Sequence, residues 1–281
     1  MPAPGGDALV QRLVWGALAA GAIALAARRS RTLSLDGAGA AVVVGTVSAA
    51  AGWDWAAALI TFFLTASLWS RAGRTRKDAR TAGVVAKTDE RDAWQVLANG
   101  GVFALCAVGY AIWLARRGIF QAWPESFWHA GASGAIAAAT GDTWATEVGT
   151  LWGGAPRSIL TGRRVEPGMS GGVTVVGTLA GVAGAALIGA VVACFGWGQA
   201  AAAAALAGGV GGMGVDSLLG ASVQQRRWCE RCQVMTERAV HNCQTTTRRA
   251  GGLAWLDNDG VNALSTAAGA GIAWVAYRSL S

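Results

Sequence analysis

Charge is what this chain has least of. Only 14% of its 281 residues are Asp, Glu, Lys or Arg, against roughly 25% in an average soluble protein. That deficit argues against a soluble globular enzyme. Five cysteines are too few for a disulfide scaffold of this length. Low hydrophobicity, the requirement for disorder, is also missing: 53% of the chain is hydrophobic and the mean hydropathy is +0.39. No long polar domain and no lipidation motif interrupts the pattern. What fills the chain instead is alanine and 41 glycines, the composition of helices that pack closely in lipid. The expected class is an all-α, polytopic integral membrane protein.

The N-terminus resembles a signal peptide only superficially. Arg12 precedes the apolar run 13–27, but Arg28, Arg29 and Arg31 follow it with no small-residue cleavage site. This reads as a first transmembrane helix with a stop-transfer patch. A bilayer core of roughly 30 Å needs about 20 apolar residues per helix. Runs of that kind predict eight spans, near 8–27, 34–51, 54–70, 93–115, 127–141, 172–195, 199–221 and 259–278, in one integral-membrane domain over 1–281.

Basic residues sort onto one side of this map. The segments 28–31, 71–91, 157–164 and 226–249 hold 19 of the 23 Lys and Arg, leaving Arg12, Arg116, Arg117 and Arg278 for the other side. The positive-inside rule then places both termini outside and the loops 71–92, 142–171 and 222–258 at the cytoplasmic face or its equivalent. Trp53, Trp55, Trp69, Trp94, Trp113, Trp123, Trp128, Trp197 and Trp274 all fall near the ends of the expected helices, where they read as interfacial anchors. His129 reads as a lone interfacial histidine. The net charge of +7 lies in loops between hydrophobic spans, with no nucleic-acid fold signature. It suits anionic lipid or a phosphate substrate better.

Acidic groups are scarce, and an ionisable residue within a span is by default a functional candidate. Gly141-Asp-Thr-Trp-Ala-Thr-Glu-Val-Gly149 places Asp142 and Glu147 at the end of the fifth run. Oxygen ligands of this kind suit Mg²⁺ bridging to phosphate; a helix end capped by Asp142 is the plainer alternative. Asp216 follows the cluster Gly208–Gly214 deep in an apolar run. The cluster is not a Walker loop, because no Gly-Lys-Ser/Thr follows. It permits close approach of another helix or of a phosphate, and Asp216 itself could simply bond a neighbouring helix.

Two polar stretches flank these. In Asp257-Asn-Asp-Gly-Val-Asn262, Asn258 and Asn262 lie one turn apart and Asp259 is placed to cap the last helix, whose N-terminus would attract phosphate. The basic turn 161–172 offers Arg163, Arg164 and the flexible Gly168, Gly171 and Gly172, whose amides could hold a triphosphate or simply shape a loop. Gln95, Asn99 and Gly100 cut a polar notch in the fourth run, preceded by Lys77, Lys87 and Arg91. Finally, Cys229, Cys232, His241 and Cys243 form C-x₂-C-x₈-H-x-C, four soft ligands for a structural Zn²⁺ or a set of reduced thiols.

At these segments the chain resembles the membrane family catalogued as domain of unknown function 92, which includes transmembrane protein 19 and plant phytyl-phosphate kinase. The resemblance rests on Gln95–Gly100, Gly141–Gly149, Pro167–Thr174, Asp216–Gln224 and Trp255–Asn262, five motifs in order over about residues 70–270. One departure is Met169, where a small polar residue is expected. The resemblance implies a kinase that uses CTP or another nucleoside triphosphate to convert phytyl or geranylgeranyl monophosphate to the diphosphate at a membrane. On that reading Asp142, Glu147 and Asp216 hold Mg²⁺. Asn99, Asn258, Asp259 and Asn262 orient phosphate or metal waters, and Arg163 and Arg164, with Lys87 and Arg91, neutralise the transferred group. The acceptor is already an anion, so no strong general base is needed. A cytidylyltransferase and a lipid-phosphate transporter are the competing expectations, and either a bacterial inner membrane or a plastid membrane would suit.

Overall fold

The computed structural model describes residues 6–81, 83–85, 90–115 and 124–281; Lys87, Arg116, Arg117 and Trp123 lie outside them. Among the described residues, eight long helices overlap the eight expected runs, the fifth extending well beyond its expected end. They are α1 (Gly6–Arg29), α2 (Leu35–Ala51), α3 (Trp53–Arg71), α5 (Ala93–Ala115), α6 (Glu125–Trp152), α7 (Val175–Cys194), α8 (Gln199–Ser222) and α9 (Asn258–Leu280). A short basic helix, α4 (Arg74–Thr81), follows α3 at a bend of 72°.

By length and apolar composition, α1, α5, α7 and α8 are able to cross a membrane, and α3 with α4 makes a fifth if they form one bent span. This is fewer than the eight expected, for two reasons. At 17 residues α2 is short. α6 and α9 are built largely from Ala, Gly, Ser and Thr, and α6 is wrapped by protein rather than lipid. Every residue from Ala130 to Gly141 is buried, so this helix needs small side chains more than greasy ones.

Glycine sets how closely the neighbours approach α6. A Cβ on Gly208 of α8 would lie 2.4 Å from the Gly269 carbonyl of α9, and one on Gly212 would lie 2.5 Å from Ala138 Cβ of α6. One on Gly181 of α7 would lie 2.8 Å from the Gly141 carbonyl. Gly208 and Gly212 of the α8 cluster therefore serve helix packing, whereas Gly214 faces the cavity described below.

Local capping sets the helix starts. The side chains of Ser34, Thr174 and Asp257 accept from the amides of Gly37, Gly177 and Gly260 at 3.1, 3.0 and 3.0 Å, opening α2, α7 and α9. Asp257, not Asp259, is thus the cap of the last helix. The region 142–171, expected as a loop, begins inside α6, which continues to Trp152. β1 (Arg157–Ser158) then pairs antiparallel with β2 (Gly172–Val173). The loop 222–258 contains a feature without a hydrophobic signature: a three-stranded antiparallel sheet ordered β4-β3-β5, with β3 (Arg226–Cys229), β4 (Val234–Thr236) and β5 (Arg248–Gly251).

At the end of the bundle away from these loops, aromatic side chains fill the core. Trp55 is fully buried and Trp197 nearly so, so neither is an interfacial anchor. His129 stacks on Trp197 with ring centroids 4.3 Å apart and lies 4.9 Å from Tyr110, which makes it part of that core. Trp197 Nε1 donates to Asp54 at 2.6 Å, giving its buried N–H the partner it needs. Trp53 and Trp94 are exposed, as an anchor would be.

Candidate functional site

A cavity of roughly 650 Å³ opens where the basic segments converge. Its walls come from α3, α4, the start of α5, the lower half of α6, the turn before α7, the end of α8 and the start of α9. Arg91, Gln95, Asn99, Asp142, Glu147, Gly168, Gly171, Gly172, Asp216, Asn258, Asp259 and Asn262 all line it. Five sequence segments, running from Arg91 to Asn262, thus meet in one place.

Asp142 on α6 and Asp216 on α8 face each other, with Ser265 of α9 beside Asp216. Asp216 Oδ2 is sealed from solvent and receives no hydrogen bond. Two enclosed carboxylates are tolerated together when a cation or a shared proton neutralises them. A hard oxygen-ligated cation such as Mg²⁺ fits this donor set.

Glu147 has protein partners of its own. It lies five residues beyond Asp142, so the helix turns it toward α3 and α4. Its Oε1 accepts from Ser70 at 2.7 Å and its Oε2 pairs with Lys77 at 2.5 Å. Each oxygen thus has a protein partner, which anchors Glu147 to α3 and α4 at the edge of the cavity. Lys77 is buried. Its ammonium also bonds the Trp69 and Ser70 carbonyls at 2.6 and 2.9 Å, satisfying backbone acceptors that the bend at Gly73 (φ +61°) strands at the end of α3.

The arginines expected from the turn 161–172 are not at the cavity. Arg163 and Arg164 are exposed on the loop between β1 and β2, where Arg164 pairs with Arg157 as an isolated bridge. The long connection 159–171 between the two short strands carries these arginines outward, and the sequence has no signal for that direction. Arg31, Arg71, Arg74, Arg80 and Arg91 line the cavity in their place. Arg91 bonds Ser70 Oγ at 3.2 Å; burial draws its guanidinium down from the usual arginine range, and the charge of Glu147 opposes that.

The glycine-rich turn is already partnered. Glu237, just past β4, accepts from the Ser170 hydroxyl and from Gln224 Nε2 at 3.2 Å, and the Ser170 amide bonds it too. Burial pushes its carboxyl up, while the Ser170 bonds pull it down. Glu237 lines the cavity and is the functional candidate that sequence reasoning missed. Its only signal is an acid among arginines, a signal shared with Glu230, which merely pairs with Arg248. Asn99 spends one amide hydrogen on the Gln95 carbonyl at 2.9 Å.

The Cys/His cluster lies in the three-stranded sheet. The ligand atoms of Cys229, Cys232, His241 and Cys243 are all within 4.8 Å of one another. Hydrogen bonds from Thr245 and then His241 draw the Cys243 thiol down to about 5, whereas its neighbours in the cluster push Cys232 up to about 11.

The family described as Integral membrane protein DUF92 matches residues 18–270. Protein PGR of Arabidopsis thaliana is 30% identical over 279 residues, covering 90% of this chain and 92% of the relative. An uncharacterised membrane protein of Methanocaldococcus jannaschii is 33% identical over 220 residues, 73% of this chain and 80% of its own length. One from Synechocystis is 33% identical over 150 residues, 52% of this chain and 54% of its own length. No solved structure matches. With most of its length matched, and with the motif segments inside the matched region, the chain belongs to the integral membrane protein family DUF92.

Proposed function

We propose that this protein is a nucleoside-triphosphate-dependent kinase, CTP being the favoured donor, that converts a prenyl monophosphate such as phytyl or geranylgeranyl phosphate to its diphosphate. The observation that carries the reading is the facing pair Asp142 and Asp216, with its unbonded Oδ2, in a cavity to which Arg31, Arg71, Arg74, Arg80 and Arg91 also contribute. Paired acids and several arginines on one cavity suit a metal-bound polyphosphate, and the resemblance stated above supplies the prenyl substrate class. In the same proposal all eight long helices cross the bilayer, both termini are non-cytoplasmic, and the cavity faces the cytoplasm of a bacterial inner membrane or an organellar equivalent. The sorting of 19 of the 23 basic residues into the segments 28–31, 71–91, 157–164 and 226–249 supports that orientation.

In this mechanism Asp142 and Asp216 would hold Mg²⁺, which supplies charge neutralisation for the triphosphate. Arg91, fixed by Ser70, and the arginines of α4 receive the anionic oxygens of both substrates. A prenyl phosphate oxygen attacks the γ-phosphorus, the bond to the bridging oxygen of the β-phosphate breaks, and nucleoside diphosphate leaves. Asn258 and Asn262, one turn apart at the start of α9, orient phosphate or its waters together with Asp259. The acceptor arrives as an anion, so the chain needs positioning and charge rather than a base.

The test is a product assay on detergent-purified protein with prenyl monophosphate, Mg²⁺ and γ-labelled CTP, ATP, GTP or UTP. Label in prenyl diphosphate, lost in both Asp142→Asn and Asp216→Asn, is the expected result. Released pyrophosphate with an unlabelled lipid product would replace the kinase by a cytidylyltransferase. Nucleotide-independent movement of lipid phosphate across vesicles, abolished by Asp216→Asn, would replace it by a transporter.

A further inference from the structure

We propose that Cys229, Cys232, His241 and Cys243 bind one Zn²⁺ ion, and that this ion braces an extramembrane cap holding Glu237 and the segment 83–85 in the wall of the cavity. The cluster sits outside the phosphate site and is not required by the phosphoryl-transfer chemistry. Its four ligand atoms come from two turns. In the first, Gln233 N–H bonds the Cys229 carbonyl at 2.8 Å; in the second, Gln244 N–H bonds the His241 carbonyl at 2.9 Å. Gln233 and Gln244 both adopt left-handed backbone, at φ +55° and +62°, a conformation uncommon for residues other than glycine. Both turns therefore fold back sharply to aim two ligands each at a common point.

The spacing suits tetrahedral zinc. Bonds of about 2.0–2.3 Å set neighbouring ligand atoms roughly 3.5–4 Å apart. Cys229 Sγ and Cys243 Sγ are 3.5 Å apart, and His241 Nδ1 is 3.4 Å from Cys243 Sγ. The two sulfurs are not joined as a disulfide. A sheet of three strands, the longest having four residues, buries too little to be stable alone. A structural metal supplies what such a small unit lacks.

The consequence for the cavity runs through β4. Thr236 Oγ1 and Glu237 N–H both bond the Val84 carbonyl, at 3.2 and 2.9 Å, and Arg238 Nε bonds the Val85 carbonyl at 2.7 Å. A Cβ on Gly83 would lie 2.6 Å from His241 Nε2, so the ligand ring itself packs on this segment. Glu237 then reaches Ser170 and Gln224 inside the cavity. The metal cluster and the cavity wall are thus joined by one continuous set of short contacts.

The experiment uses the full chain in detergent. Elemental analysis should find about one zinc per chain, lost in Cys229→Ser and in Cys243→Ser. Replacing zinc by Co²⁺ in the wild type should give the visible absorption of tetrahedral cobalt–thiolate coordination, which keeps the test decisive if the variants fail to fold. Stripping the metal with a strong chelator should raise amide hydrogen exchange over 83–85 and 226–251 while α6 to α9 stay protected, and zinc should reverse it. A wild type that binds neither ion, or a Cys229–Cys243 disulfide in the purified chain, overturns the site. Unchanged exchange at 83–85 after stripping overturns the brace. None of these readouts uses turnover, so failure here and failure of the kinase reading are separately visible.

Discussion

Lys77→Met separates an anchoring role for Glu147 from a metal-binding one. Lys77 makes three contacts at once: with the Trp69 and Ser70 carbonyls and with Glu147. The side chains of the ion pair are 7% and 23% exposed, so solvent screens it weakly. Breaking a buried pair from one side leaves the other charge uncompensated, at about 3–5 kcal/mol. Glu147 keeps Ser70 and some access to the cavity, which points to the lower end, about 3 kcal/mol. At roughly 2–4 °C per kcal/mol for a chain of this general size, the melting point should fall by about 6–12 °C. Adding Glu147→Gln to Lys77→Met removes the stranded charge and should recover about 1–2 kcal/mol, a coupling of the size seen between contacting residues. The assay is thermal unfolding in a fixed detergent, followed by near-ultraviolet circular dichroism and by the monodisperse fraction on size exclusion. Glu147→Gln alone should leave the Mg²⁺ concentration for half-maximal turnover within about twofold, whereas loss of a metal-site partner raises it about 10–100-fold. A wild-type melting point in Lys77→Met, or a tenfold rise in Mg²⁺ demand in Glu147→Gln, refutes the anchoring role.

Three further outcomes follow from the packing. Because burial raises the Glu237 carboxyl above its ordinary 4.5, the folded state favours its neutral form, and its contribution to stability is full below pH 4.5 and is lost as pH rises through the elevated value. Glu237→Gln should therefore gain thermal stability over the wild type between pH 4.5 and 8, with the two curves merging in acid; parallel curves across that range would contradict it. Gly208→Ala forces a methyl to within 2.4 Å of the Gly269 carbonyl and should lower stability by about 1–3 kcal/mol, read as a loss of monodisperse protein after mild heating. Asp257→Ala removes the bond to the Gly260 amide and should cost about 0.5–2 kcal/mol, whereas Asp259→Ala should leave capping intact; comparing the two melting curves checks which residue begins α9.

What was legible in the sequence followed from its periodicity and from the rarity of charge. Hydrophobic runs locate helices because lipid and helix packing both act along a continuous stretch of 17 to 28 residues. Asp142, Asp216 and the polar start of α9 stood out because acids are uncommon in such runs, and the structure gathers them around one cavity. The roles of Glu147, Arg163 and Arg164 depended on something else, the direction in which a side chain points. For Glu147 that direction is set by five residues of helical rotation and by a lysine 70 positions away; for the arginines it is set by the connection 159–171 between two short strands. Trp55, Trp197 and His129 misled for a related reason. An indole near a helix end faces lipid headgroups only if no neighbouring helix covers it, and α3, α5 and α6 close over these rings. Glu237 was hidden most completely, because its burial depends on a small sheet with almost no apolar pattern. If that sheet is held by the cluster beside it, the residue that seats the glycine-rich turn is positioned by metal ligation rather than by hydrophobic burial. Sequence patterns that track hydrophobicity are blind to such a unit; ligand spacing, C-x₂-C-x₈-H-x-C, is the only record of it that the chain carries.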